Sequence, residues 1–587
     1  MKLARLRIGT TRQQEMAEPL LVLRGLDGTA VGLISPAAES TSAFTHELND
    51  DFDWYVWGTL FRRSDGQAIA PDLELIQLAF LTPEAFVVRY WGHYRIIVHD
   101  RRQAITLVLC DPCGSCPTYF RVLENGAVHV SGDPSHLADE TPDFDHIEMK
   151  SFLVHGHAGS VQCALRGIER VPIGHSLRIP HHGAPVCRIV WWPAWKMRDQ
   201  ELNDVDAEQQ LLTALLQSVR SCVGEQSVVL ELSGGLESTS LALALEILGH
   251  AQHTNAINYR DLLSPGSNES DHARAVAQHV GIPIEVVDLH PTAFAPSESI
   301  PRLARPAHEL CWLKQASALR HRLSACGAQR LLNGHGGDAI FLAPPPDGTF
   351  IDALADGQWR RSLSAWRDLA IMKRLPIWSI ARSAFAQLGQ TKVSVNVGLH
   401  DLVHPDVCAE VAGRTEPLAT AWLEKWGNRV RPGRRMQILT ILGNLRDRDV
   451  DLLLAPLGSA SPFLTQPIIE LGLKTPTYRL FNAFHNRLLL RNAAYRVSGL
   501  PNLWRRDKGA TTGHVSASIA ANRQHVEDVC LNGICATSGW IDVDACKRAI
   551  GRISHHHCDS MPIIVRLYAV EMFARGWHQS RHLPAAT

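Results

Sequence analysis

The residues best suited to chemistry stand together at Ser233-Gly234-Gly235-Leu236-Glu237-Ser238. A short apolar run, Val228 to Leu232, precedes them and an apolar helical pattern follows, which predicts a strand, a phosphate loop, and a helix after Ser238. Glycine lets the chain turn sharply and brings backbone N–H groups close to an anion, and the start of a helix adds unpaired N–H groups and the positive end of its dipole. The hydroxyls of Ser233 and Ser238 add donors. The loop carries no lysine, so transfer of a terminal phosphate in the manner of a Walker loop is not supported, and a loop that holds departing pyrophosphate fits better. A Gly-Gly turn also joins strands to helices in proteins that bind no nucleotide, so this segment gains its meaning from a second one. Asn333-Gly334-His335-Gly336-Gly337-Asp338 follows the apolar strand Arg330-Leu331-Leu332 directly. Asp338 reads there either as a functional carboxylate or as a helix N-cap. Arg487 and Arg491, one helical turn apart, face the same ligand or form surface ion pairs.

The elements that must position these residues divide the chain. From Met1 to about Trp195 the text alternates like short strands, as in Val87–Asp100, Ala104–Asp111, Thr118–Leu123 and Ala127–Asp133, with Gly, Pro and Asp turns between them. The stretch from Trp195 to Val205 is polar and charged, as a linker would be. From Asp206 apolar residues recur at helical spacing with occasional buried strands, so we expect a β-rich domain over 1–200 and a helix-rich domain over 206–587. A chain of 587 residues is too long for one ordinary core.

Apolar residues make up 45% and charged residues 20%, and the net charge is −1, which gives no electrostatic footprint for nucleic acid. The first residues interleave charge with apolar side chains and no stretch reaches the ~18 apolar residues of a membrane span, so a cytoplasmic protein is expected. The 13 cysteines are odd in number and scattered, which predicts reduced thiols. Cys110, Cys113 and Cys116 have a spacing that suits an iron–sulfur cluster or zinc given a fourth ligand. They sit, however, among the turn residues Gly114 and Pro117, and no metal is expected there. His555, His556, His557 and Cys558 are adjacent and do not converge on an ion.

Ser233–Ser238 resembles the SGGxDS loop of the ATP-pyrophosphatase synthetases, and the chain as a whole is similar to asparagine synthetase and its relatives. Asn333–Asp338 resembles the second loop of that family, and Arg505-Arg506-Asp507-Lys508-Gly509 resembles its R-x-K-G segment. The resemblance implies an α/β fold in two parts. These are an N-terminal glutaminase-like (Ntn) β-sandwich and a C-terminal α/β ATP-pyrophosphatase (PP-loop) synthetase domain with a parallel sheet and many helices. It implies ATP and Mg2+ as cofactors, with Glu237 and Asp338 on the metal. The nucleotide falls to Leu232, Ser233, Gly234, Gly235, Ser238, Ile257, Asn333 and Gly334, with Arg487 and Arg491 on the phosphates. Lys508 would stabilise charge on the adenylate or on the tetrahedral intermediate. Two departures stand out: Glu237 replaces the usual aspartate, adding a methylene, and Thr465 replaces the aspartate of the family's PFLD stretch.

The N-terminal part carries the resemblance through Asp111–Tyr119, Ser131-Gly132-Asp133 and Gly167–His175. Family members that hydrolyse glutamine place a cysteine directly after the initiator methionine; this chain has Lys2, so the attacking amine is expected to arrive with the substrate. His335 stands where β-lactam synthetase has tyrosine, and it either accepts a proton from the amine or packs beside the nucleotide. The Gly-Gly-Asp form, the missing cysteine and the long chain resemble most the lasso-peptide macrolactam cyclases. That branch implies adenylation of an Asp or Glu side chain of a precursor peptide and ring closure by its N-terminal amine. It further implies a wide, partly apolar cleft, with Trp312 and Tyr259 as lining candidates, and a leader peptidase and leader-recognition protein as partners. A β-lactam-type or ammonia-using asparagine synthetase would share the ATP site. A non-catalytic peptide-binding scaffold is the reading of another class, and the joint presence of Ser233, Glu237, Asp338 and Lys508 argues against it.

Overall fold

Strands with apolar side chains on both faces must be covered twice, and the first part of the chain does so by layering. The computed structural model describes residues 20–24, 30–34, 44–48, 51–156, 163–192, 204–262, 268–386, 388, 401–412, 430–449, 458–506, 512–553 and 559–578. Strands β1 (Leu20–Arg24), β2 (Ala30–Ile34), β8 (Tyr119–Val122), β9 (Val128–Ser131) and β10 (Glu169–Arg170) form one sheet in the order β1-β2-β9-β8-β10. A second sheet contains β3 (Phe44–Leu48), β4 (Phe52–Arg62), β6 (Tyr90–Asp100), β7 (Ile105–Cys110), β11 (His175–Ile179) and β12 (Val186–Ile189), in the order β12-β11-β7-β6-β4-β3. Strand β5 (Ala68–Ile69) pairs beside β4.

One face of the larger sheet, with Tyr55, Ile97, Val108 and Leu177, packs on Phe120, Val128 and Val130 of the smaller. The other face, with Trp54, Val56, Ile96, Val98 and Leu109, is buried under the helices Leu73–Leu81, Pro83–Arg89 and Asp204–Val223. This hydrophobic core continues without a break from Ile173, Val190 and Trp191 into Ala207, Leu211 and Leu215. Residues 193–203, where the linker is expected, lie outside the described residues, as does Lys2.

The strand expected from Val87 begins only at Tyr90, because Pro83 opens a helical turn that runs to Arg89 and buries Phe86 and Val87. The cysteine cluster is split by the sheet. Cys110 points into the core between the two sheets, 3.0 Å from the Thr118 hydroxyl, while Cys113 belongs to the core on the opposite face. Among the described residues no group of three or more His, Cys, Asp or Glu is gathered to hold a metal, and the described cysteines are free thiols. Among them also, no helix is long and apolar enough to cross a membrane.

The second part is built on a parallel sheet of β13 (Val228–Glu231), β14 (Thr254–Asp261), β15 (Ile284–Leu289), β16 (Arg330–Leu332) and β17 (Ser459–Ala460). The short apolar run of β13 suits a central strand covered on both faces. The order is β15-β14-β13-β16-β17, so the chain moves outward from β13 in one direction and then returns to its other side at β16. Such a reversal opens a crevice at the carboxyl ends of the two strands, where open α/β sheets bind their ligands. The two glycine-rich loops leave β13 and β16 at that crevice. Helices over 512–578 close a separate core with the helix His146–His155.

Candidate active site

The first loop is braced by its own hydroxyls. Gly235 N–H donates to Ser233 Oγ at 3.2 Å, and Ser238 Oγ donates to the Gly235 carbonyl at 3.3 Å. The helix after it starts at Leu236, with Gly235 as N-cap, so Glu237 and Ser238 belong to the first turn, earlier than the start expected after Ser238. Gly234 takes a positive φ of 72°, and a Cβ there would lie 2.7 Å from the backbone N of Ala273, so the loop rests directly on the helix Ser270–Val280.

The second loop is organised by Asn333. Its Nδ2 donates to Ser459 Oγ at 2.8 Å, and its Oδ1 accepts from Ser461 Oγ at 2.8 Å and from the His335 N–H at 3.1 Å. The Asn333 side-chain amide thus shapes the loop, and the residue borders the cleft. Asp338 lies inside the short helix Gly337–Phe341, whose N-cap is Gly336, so the capping alternative for Asp338 does not hold.

The two loops touch through Glu237. A Cβ on Gly334 would lie 2.7 Å from Glu237 Cβ, and one on Gly337 would lie 2.5 Å from Glu237 Cγ, so glycines at both positions let the second loop close on this side chain. Glu237 and Asp338 both accept from Nη1 of Arg487, which stands at φ 56° just before the helix Leu488–Ser498. Burial pushes the Glu237 carboxyl up; Arg487 opposes that rise and Asp338 adds to it. Two carboxylates converging on one cationic nitrogen form a hard, oxygen-only donor pair, which fits Mg2+.

Arg491 has a different task from Arg487. Its Nε donates to the Asn486 carbonyl at 2.9 Å and its Nη1 to the Leu503 carbonyl, which anchors the turn leading into Arg505. Burial, with Arg487 nearby, lowers its guanidinium to about 10. Arg505 pairs with Glu269, and the Arg506 guanidinium lies 4.7 Å above the Phe484 ring. Lys508 lies outside the described residues, while Arg505 and Arg506, which lead to it, border the cleft.

The cleft has a volume of about 1190 Å³. Leu232, Ser233, Gly235, Glu237, Ser238 and Ile257 border it. Gly334, exposed His335, Asp338, Arg487 and Arg491 border it as well, and Gly234 is buried. Tyr259 lines the cleft as expected; Trp312 does not, because its ring stacks on His514 at 5.9 Å. The sequence reading passed over Glu231, Asn258, Arg374 and Phe484, all on the cleft wall. For Glu231 a signal was present, an acid inside the otherwise apolar run Val228–Leu232.

The chain belongs to the asparagine synthase family, which matches residues 210–575 and so takes in both loops and the arginines facing them. Members of this family are ATP-dependent ligases that form AMP and pyrophosphate, and the protein is an enzyme of that general class. No curated protein sequence matches the chain. Among solved structures, the U34-tRNA thiolase NcsA from Methanococcus maripaludis, with its 4Fe-4S cluster, aligns at 13% identity over 41% of this chain and 80% of that one, with a TM-score of 0.19.

Proposed function

We propose that the protein is a macrolactam synthetase. It would adenylate an Asp or Glu side-chain carboxylate of a precursor peptide and close the ring with the peptide's N-terminal amine, as lasso-peptide cyclases do. The observation that carries this reading is the meeting of two glycine-rich loops at the reversal of the parallel sheet, with Glu237 and Asp338 converging on one point. The size of the cleft favours a peptide. At about 1190 Å³ it exceeds the roughly 300–1,000 Å³ of ordinary small-molecule sites. Its rim carries Pro344, Ile371, Met372 and Phe484, an apolar surface that a threaded peptide would cover.

In this reading the first loop receives the phosphates of ATP through its backbone N–H groups and the hydroxyls of Ser233 and Ser238. Magnesium, held by Glu237 and Asp338, would offset negative charge on the departing pyrophosphate. An oxygen of the peptide carboxylate attacks the α-phosphorus, the bond to the bridging oxygen breaks, and pyrophosphate leaves. The amine then attacks the carbonyl carbon of the adenylate and AMP departs. Adenylation is required because a carboxylate resists an amine, whereas AMP is a good leaving group. Lys508 stabilises charge on the tetrahedral intermediate, and exposed His335 takes the proton of the amine. Holding both ends of one chain together supplies proximity and orientation, which are large terms in ring closure. The core peptide is the substrate, and a leader peptidase and a leader-recognition protein are the expected partners; nucleic acid is not.

The test is pyrophosphate release from ATP and Mg2+ with the leaderless precursor peptide encoded beside the gene, set against aspartate plus ammonia. Release that depends on the peptide, with a product lighter by one water, supports the proposal. Release with aspartate and ammonia alone makes the protein an asparagine synthetase and overturns it.

A further inference from the structure

None of the roles above uses Glu231. It ends β13, borders the cleft, and interrupts a run of apolar residues. In the parallel register it lies opposite Ile257, so both side chains leave the sheet on the same face, beside Val229, Leu331 and Tyr259. Among the described residues its carboxyl has no hydrogen bond or ion pair, and burial alone pushes it up to about 7. The side chain is half-buried on the cleft wall, so its carboxyl is open to a donor that arrives with a ligand.

The neighbouring polar groups show where that donor comes from. Leu232 N–H donates to the Ile257 carbonyl at 2.9 Å, and the Leu232 carbonyl accepts from Asn258 Nδ2 at 2.8 Å. The Leu232 N–H is thus already committed, and Glu231 adds a side-chain acceptor to this wall beside the backbone carbonyls. The phosphates belong two residues further on, at Ser233–Ser238 and the helix start, so Glu231 stands on the side of the site away from the reacting centre. Tyr259 beside it keeps its proton, because burial and then Glu231 push its hydroxyl up. Asn258 Oδ1, in the same wall and 3% exposed as a residue, also lacks a partner among the described residues.

We propose that Glu231 is a specificity-determining residue whose carboxyl accepts a hydrogen bond from the exocyclic 6-amino group of the adenine base of ATP. This rests on the reading that ATP occupies the cleft with its base toward Leu232 and Ile257. A carboxyl oxygen accepts from an amino group, whereas purine riboside triphosphate, which lacks only that group, would leave Glu231 without a donor.

The experiment is equilibrium binding of ATP and of purine riboside 5′-triphosphate, each with Mg2+, to the full chain and to the variants Glu231→Leu and Glu231→Gln. The parent should bind ATP roughly tenfold or more tighter than the analogue, Glu231→Leu should bring the ratio close to one, and Glu231→Gln should retain part of the preference through its amide oxygen. Because the readout is a ratio within one protein, a general loss of stability does not imitate it, and the glutamine variant keeps the side chain's size. Unchanged ratios in both variants, with ATP still bound, overturn the role of Glu231 and leave the synthetase reading standing. A parent protein that binds neither nucleotide overturns both.

Discussion

Replacing Arg487 by glutamine removes the cation that Glu237 and Asp338 share. The Arg487 and Glu237 side chains are 9% and 13% exposed and that of Asp338 is 44% exposed, so the variant leaves one largely buried and one half-exposed carboxylate facing each other. At an effective dielectric constant of about 20 and a separation of ~4 Å, two like charges repel by on the order of 4 kcal/mol. Solvent reaches Asp338, which screens the pair and brings the expected loss nearer to about 2 kcal/mol. The assay is thermal unfolding followed by circular dichroism, first with a chelator and then with added Mg2+. In the chelator Arg487→Gln should melt a few degrees below the parent. Mg2+ should then raise the variant's midpoint more than the parent's, because in the parent the ion competes with the guanidinium for the same oxygens. A variant as stable as the parent in the chelator, or an equal Mg2+ effect on the two, would refute the idea that these carboxylates form a cation site.

Further outcomes follow from the same geometry. Gly337→Ala places a methyl 2.5 Å from Glu237 Cγ, so it should push the acid away from Arg487 and lower peptide-dependent pyrophosphate release by about tenfold or more, read in the same assay as for the parent. Lys508→Ala should suppress product formation while ATP binding stays largely intact; full activity would remove this lysine from the mechanism. Glu470 tests the seam between the two parts of the chain. Burial pushes its carboxyl up, yet Arg63 and hydrogen bonds from Trp191 and Gln466 hold it below the usual range. A lowered acid stabilises the fold above the unfolded value of about 4.3, and that contribution is lost as pH falls through the folded value. The melting points of the parent and Glu470→Gln should therefore differ at pH 7 and draw together in acid; a constant gap would count against the ion pair.

Local pattern was enough to locate the two loops. The strand Arg330–Leu332 and the run from Val228 are apolar and end in glycines, and such runs read as buried strands entering tight turns whatever surrounds them. The acids at Glu237 and Asp338 were singled out through the resemblance of their loops to those of the ATP-pyrophosphatase synthetases. Element boundaries were less so. The helix at Leu236 and the strand at Tyr90 start where Gly235 and Pro83 set the backbone, positions that apolar periodicity does not mark.

Tertiary structure decided which distant groups meet. Arg487 reaches Glu237 and Asp338 from far along the chain, the Asn333 amide is taken by Ser459 and Ser461, and Trp312 turns to His514 and away from the cleft. Glu231 gained meaning only when sheet register set it beside Ile257. The physical reason is that sequence spacing governs backbone conformation over a few residues, whereas strand order and helix packing bring together side chains that no spacing relates.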